Sequence, residues 1–315
     1  MSKKSVFFWI KVFVFFLFIF FIDLFAGKIL FFMQNKSLEN SPFAMVTEFT
    51  MWKVDKEIIL IGASETSHGY KPSIIEDSLK MTVYNCGKDG YGFYYQSSMI
   101  DGILKRYSPK IIVWSVSPSS FLSKPSKDSM DRISYLNPFY NSNEYIKSII
   151  IKKGPYEKYK MYSQLYVYNS RIFTYAYKAL FDYNNFEKGG FSPLINTNNN
   201  YPVVLDITYD DNLDNEIAKL FASTLEKCKA AGTQVVLVFP PKLVIDNYNN
   251  TIQYKKLKQI AENFDTQIFE NFYNHNDFIN NPLLFKDNLH LNNKGASKFS
   301  SLFSRELKHL ITNEL

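Results

Sequence analysis

Three side chains in this sequence can share one reaction: Ser64, Asp287 and His290. Ser64 lies in Gly62-Ala63-Ser64-Glu65-Thr66-Ser67-His68-Gly69, directly after an apolar run at residues 57–61. A serine there, beside small residues, can present its hydroxyl at a helix start, where backbone N–H groups point toward a developing oxyanion. The same position suits a helix N-cap, for which serine is a preferred residue. Asp287 and His290 stand in Lys286-Asp287-Asn288-Leu289-His290-Leu291-Asn292. On a loop, that spacing lets the carboxylate meet one imidazole nitrogen while the other faces a serine, the orientation a general base needs. Read alone, the pair also suits two surface residues or half of a metal site. With one histidine and no nearby thiolate, the metal reading is weak.

Other residues compete for the same chemistry. Asn85-Cys86-Gly87-Lys88-Asp89-Gly90-Tyr91-Gly92 is rich in glycine, which suits a loop donating an N–H to a reacting carbonyl and equally an ordinary tight turn. His68 lies four residues after Ser64, on the same face of any helix begun there. With no acidic residue obviously placed to orient it, His68 reads as pocket lining or a structural hydrogen-bonding group. Lys242 follows Pro240-Pro241 and suits contact with an anionic substrate or plain solvation. His275 and His309 read as surface or core residues, and Cys86 and Cys228 as one disulfide or two buried thiols.

The elements that must position these residues follow a regular rhythm. Apolar runs at 57–61, 81–84, 110–116, 234–239 and 267–270 predict five strands. Helical spacing at 72–79, 95–107, 215–231, 253–264 and 292–312 predicts helices between and after them, with Gly232 ending one of these as a C′ residue. Continuous apolar strands alternating with helices predict an α/β fold: a three-layer α/β/α sandwich around a five-stranded parallel sheet. Ligands of such sheets bind beyond the carboxyl ends of the strands. Residues from 118 to about 211 break the rhythm with Tyr-, Asn-, Ser- and Lys-rich sequence and weakly helical pieces at 144–153 and 166–182. That length exceeds a simple loop and predicts a subdomain or lid inserted after the third strand.

Ser64 after the first strand, the glycine loop after the second, and Asp287-x-x-His290 before the last helix resemble the SGNH/GDSL hydrolase superfamily. The resemblance covers roughly residues 57–117 and 212–310. It implies an SGNH or flavodoxin-like sheet with Ser64 as nucleophile, His290 as general base and Asp287 orienting His290. It also implies an oxyanion hole from the Ser64 N–H and Gly90, chosen over Gly87 because it stands five residues after Asn85. The sequence departs from the family at the third strand, which ends Trp114-Ser115-Val116-Ser117-Pro118-Ser119-Ser120-Phe121 without the usual oxyanion Asn. Losing one such donor costs about 3 kcal/mol of transition-state stabilisation, so Ser117, Ser119 or a backbone N–H must substitute, or catalysis is weak. The Ser-Pro-x-x-Phe string and the Gly-x-Ser-Glu start look like membrane-bound D-alanyl transfer proteins of teichoic acid modification. The chain is also similar to SGNH-type proteins of bacterial surface-polysaccharide functions.

The N-terminus sets the location. Residues 5–27 are apolar apart from Lys11 and Asp23, long enough to span a bilayer core. Lys3 and Lys4 precede them, predicting a cytoplasmic N-terminus and a catalytic domain outside. A cleaved signal peptide is the rival, with Leu24-Phe25-Ala26 a poor cleavage site. The expected organisation is an anchor at 1–33, a juxtamembrane connector at 34–56 and a catalytic domain at 57–315. A net charge of +6 over 315 residues, with plentiful acids, excludes a nucleic-acid arm. No metal or cofactor is expected. Expected partners are the membrane, an acylated glycan, glycolipid or acyl ester, and, by the resemblance, a multi-pass acyl donor protein. The function so predicted is an extracytoplasmic serine esterase or O-acyltransferase working through an acyl-serine. The alternative is a catalytically inactive SGNH-like protein binding or scaffolding polysaccharide assembly.

Overall fold

The structure is a computed structural model that describes residues 3–181, 186–195, 197, 203–204, 212–245 and 247–314. Strands β1 (Ile58–Ile61), β2 (Val83–Asn85), β3 (Ile111–Ser115), β4 (Gln234–Val238) and β5 (Gln267–Phe269) form one all-parallel sheet in the order β2-β1-β3-β4-β5. Ile58 is the register point of its centre, paired with Val83 on one side and Ile111 on the other. Every residue of β1, β2 and β3 is buried, which is why these strands carry apolar runs rather than alternation.

One face packs Ile58, Leu60, Ile111, Val113 and Val236 against Ile75 of the helix Pro72–Leu79 and Phe299 and Phe303 of the last helix, Asn293–Glu314. On the other, Trp114 lies parallel to the Phe93 ring at 5.9 Å and edge-on to Phe221 at 5.5 Å. Those rings bring the helices Phe93–Leu104 and Asn215–Ala230 onto that face. The result is a three-layer α/β/α sandwich, with the large insertion after β3. Strand order reverses between β1 and β3, and such a reversal opens a crevice at the carboxyl ends of the strands. Ser64 follows β1 directly. Both cysteines are buried free thiols, and burial pushes each up to about 12.

The chain divides into two compact units, Met1–Pro42 with Asp131–Tyr183, and Phe43–Met130 with Asn184–Leu315. The second holds the sheet. The first is helical and is built on the helix Lys3–Asn40, whose large apolar side chains from Val6 to Phe32 are mostly exposed. This helix runs on through Asn40 because its polar end finds partners in the insertion. Gln34 donates to the Tyr175 hydroxyl at 2.9 Å, Ser37 to the Tyr175 carbonyl at 2.8 Å and Asn40 to the Ala179 carbonyl at 3.0 Å.

The helix expected over 166–182 is three pieces: Gln164–Tyr168, a 3₁₀ turn at Asn169–Arg171, and Ile172–Leu180; residue 182 lies outside the described residues. Its start is set by Asp23, whose carboxylate accepts from the Ser163 hydroxyl at 2.7 Å and from the N–H groups of Gln164 at 2.7 Å and Leu165 at 3.0 Å. At its break lies Arg171, buried with its guanidinium 4.4 Å from the Tyr135 ring and 4.8 Å from that of Tyr175.

Candidate active site

β1 ends where the chain must turn sharply. A Cβ at Gly62 would overlap the Thr66 hydroxyl and crowd Ser115, so only glycine fits the turn. Ala63 then occupies the cap position of the helix Ser64–Gly69 and makes no side-chain cap bond. Ser64 is therefore the first residue of its helix rather than its cap, and its hydroxyl points elsewhere: Oγ lies 2.7 Å from His290 Nε2.

The loop carrying His290 is tied down at several points. Lys286 N–H donates to the His290 carbonyl at 2.8 Å, and Leu243 N–H donates to the Asn288 carbonyl at 2.9 Å. The Asn292 side chain donates to the carbonyls of Leu283 at 2.8 Å and Phe285 at 3.2 Å and accepts from the N–H groups of Lys294 and Gly295. It thus closes the loop and caps the last helix together. Gly295 completes the join, since a Cβ there would strike the Leu284 carbonyl.

Within this loop, Asp287 Oδ1 accepts from the N–H groups of Leu289 and His290, both at 2.9 Å. His290 Nδ1 lies 2.9 Å from each carboxylate oxygen. Burial works against the Asp287 charge, but these bonds from the His290 ring and the backbone outweigh it and hold the carboxyl below its ordinary range. A carboxylate only accepts, so Nδ1 is the donor of this pair, and Nε2 is left facing the Ser64 hydroxyl. The structure brings Ser64, His290 and Asp287 into one hydrogen-bonded relay.

A second histidine–carboxylate pair stands beside it. His68, nearly buried, places Nε2 2.9 Å from Asp89 Oδ2 and Nδ1 2.7 Å from the Ser192 carbonyl. Its ring is edge-on to His290 with centroids 5.8 Å apart. The sequence alone gave no orienting acid for His68; the fold supplies Asp89 from the glycine loop. Both ring nitrogens face oxygen acceptors, an arrangement that favours the doubly protonated ring. Burial opposes that charge, but Asp89 and the Ser192 carbonyl override it and raise the His68 pKa. Asp89 shifts the other way: burial is outweighed by the bond to His68, and its pKa is lowered.

The glycine loop is set against the Ser64 helix by Asn85, whose side chain donates to the carbonyls of Thr66 at 2.7 Å and Tyr70 at 3.0 Å and accepts from Gly87 N–H at 2.9 Å. Gly87 is the glycine pressed onto that helix, where a Cβ would meet the backbone of Thr66 and Ser67. Gly90 sits at the exposed end of the loop with φ of 74°, a left-handed conformation that itself selects glycine. A cavity of about 390 Å³ flanks Ser64, lined by Ala63, Glu65, Gln96, Ser115, Ser117 and Lys242 among others. Lys242 Nζ lies 3.4 Å from Ser117 Oγ and 5.6 Å from the Tyr273 ring centroid. Ser119 is buried. His275 caps the helix Asn276–Ile279, and His309 is exposed on the last helix. Among the described residues, no group of three or more His, Cys, Asp or Glu side chains is placed to hold a metal ion.

No family model matches the chain, and no curated protein matches it. Solved structures similar to it include the Bacillus subtilis protein YXIM, 13% identical with a TM-score of 0.42 over 82% of this chain. The chain spans 57% of that protein's length. A lipase/acylhydrolase from Enterococcus faecalis is 10% identical with a TM-score of 0.38, covering 81% of this chain and 96% of its own. A catalytic mutant of an acetylxylan esterase from Geobacillus stearothermophilus is 12% identical with a TM-score of 0.40, covering 80% and 94%.

Proposed function

We propose that this chain is a membrane-anchored serine esterase or O-acyltransferase of SGNH type, acting outside the cytoplasm on an acylated glycan, glycolipid or cell-surface polysaccharide. The observation that carries the reading is the relay: Ser64 Oγ at 2.7 Å from His290 Nε2, with Asp287 at 2.9 Å from Nδ1. Ser64 attacks the acyl carbonyl while its proton passes to His290, and Asp287 stabilises the imidazolium that forms. His290 then returns the proton to the departing alcohol, leaving an acyl-serine. Water or a sugar hydroxyl, deprotonated by His290 in turn, resolves it. The Ser64 N–H and Gly90 are the proposed oxyanion donors. Ser117 or Ser119 stands in for the Asn that related blocks carry, and Lys242 and His68 are the proposed substrate-binding residues. The domain division at 1–33, 34–56 and 57–315, with an insertion at about 118–211, and the multi-pass acyl donor partner belong to the same proposal.

The rival is an inert binding protein on the same fold, favoured by the missing third-block Asn. A fluorophosphonate probe separates the two. Stoichiometric labelling in the wild type that vanishes in Ser64→Ala is expected, together with turnover of a chromogenic acetyl ester that the same change abolishes. An unlabelled wild type, or ester turnover surviving Ser64→Ala, would sink the enzyme reading. Hydrolysis and transfer part in a second assay, in which added oligosaccharide acceptor either does or does not draw the acetyl group from water.

A further inference from the structure

The helical unit carries a surface that the proposed chemistry does not use. Residues 156–165 expose Tyr156, Tyr159 and Tyr162 at 69%, 57% and 80%, and Leu165 at 41%. Lys158 and Lys160 between them are exposed as well. The height of this segment on the first helix is fixed, because Ser163, Gln164 and Leu165 all donate to Asp23. Asp23 stands twenty residues after Lys3, and at about 1.5 Å of rise per residue that is about 30 Å, the thickness of a bilayer's hydrocarbon core. A helix whose lysine-flanked start lies at one interface therefore carries Asp23, and the segment bound to it, to the other.

The composition at that level matches the place. Tyrosine has an apolar ring and a polar tip and collects at the headgroup layer, and lysine places an ammonium among lipid phosphates. An apolar groove of about 710 Å³ continues from the same point along the first helix, lined by Phe21, Leu24, Phe25, Phe31, Gln164 and Tyr168 among others. We propose that residues 156–165 are a foot that rests in the lipid headgroup layer at the outer end of the anchor, Asp23 being the bolt that sets its depth. This rests on the anchor spanning the membrane. It also implies that the first helix stays attached, since cleavage after Ala26 would remove the bolt.

Three single-cysteine variants of the full chain, in vesicles of phosphatidylcholine and phosphatidylglycerol, test both statements. Cys86 and Cys228 are buried, so a nitroxide reagent selects the introduced thiol. The sites are Phe16→Cys on the exposed apolar stretch, Tyr162→Cys on the foot, and Lys36→Cys, exposed on the same helix about 20 Å beyond Asp23 by helical rise. Collision with a water-soluble nickel complex relative to oxygen reports depth. The expected order is Phe16 most shielded from nickel, Tyr162 intermediate and several-fold below Lys36, and Lys36 in water. Tyr162 as nickel-accessible as Lys36, with Phe16 shielded, overturns the foot and leaves the anchor standing. Phe16 open to nickel overturns the anchor and the foot with it.

Discussion

Two imidazoles stand 5.8 Å apart in this protein, each bonded to a carboxylate at 2.9 Å, and they differ in what faces the other nitrogen. His290 has a carboxylate on one nitrogen and the Ser64 hydroxyl, a group able to donate to it, on the other. His68 has a carboxylate on one nitrogen and a carbonyl, which only accepts, on the other, and this favours the doubly protonated ring. A histidine–aspartate pair is thus not by itself a mark of general-base chemistry. What faces the far nitrogen decides whether the ring is a base or a fixed cation.

The sharpest way to break this comparison is to remove each ring in turn. His290→Ala is expected to lower kcat for an acetyl ester by about 10⁶-fold, since relay members act as a unit. His68→Ala should cost no more than about tenfold, well short of the 10²–10⁴ a general acid–base group supplies. The reverse ranking would make His68 the base. Asp287→Asn comes next: the amide presents an N–H to Nδ1 and favours the wrong tautomer, for a loss of about 10⁴-fold in kcat. Asp89→Asn should leave kcat within about tenfold, because no proton of the proposed reaction passes through it.

The smallest expected effect concerns stability against pH. The raised His68 contributes fully below the imidazole's ordinary value of 6.5 and loses that contribution as pH climbs through its raised value. The lowered Asp89 contributes above the ordinary 3.8 and loses it as pH falls through its depressed value. The melting temperature of the wild type should therefore exceed that of Asp89→Asn by on the order of 2–4 °C between those limits. The gap should close at both ends. A gap that does not change with pH would mean the pair is not ionic.

The grouping of Ser64 with Asp287 and His290 came from the family resemblance, and the local half of it was the easier to see. Asp287 and His290 are three residues apart on one loop, and Ser64 follows an apolar run expected to be a buried strand. The sheet was legible for the same reason, since buried parallel strands announce themselves as short unbroken apolar runs. His68 and Asp89 were not. They are 21 residues apart and meet only because β1 and β2 are neighbours and Asn85 and Gly87 clamp the following loop to the Ser64 helix. The end of the first helix was equally hidden. Gln34, Ser37 and Asn40 look like connector residues until Tyr175 and Ala179, about 140 residues later, supply their partners.

The bond network at Asp23 also has a timetable. Its three donors come from residues 163–165, 140 to 142 positions downstream. At ribosomal speeds of about 5–20 residues per second, Asp23 leaves the ribosome roughly 7–28 s before Leu165 does. Throughout that interval Asp23 has none of its final donors, and water must serve in their place. In the proposed orientation the anchor is the first part of the protein to be inserted and among the last to be locked.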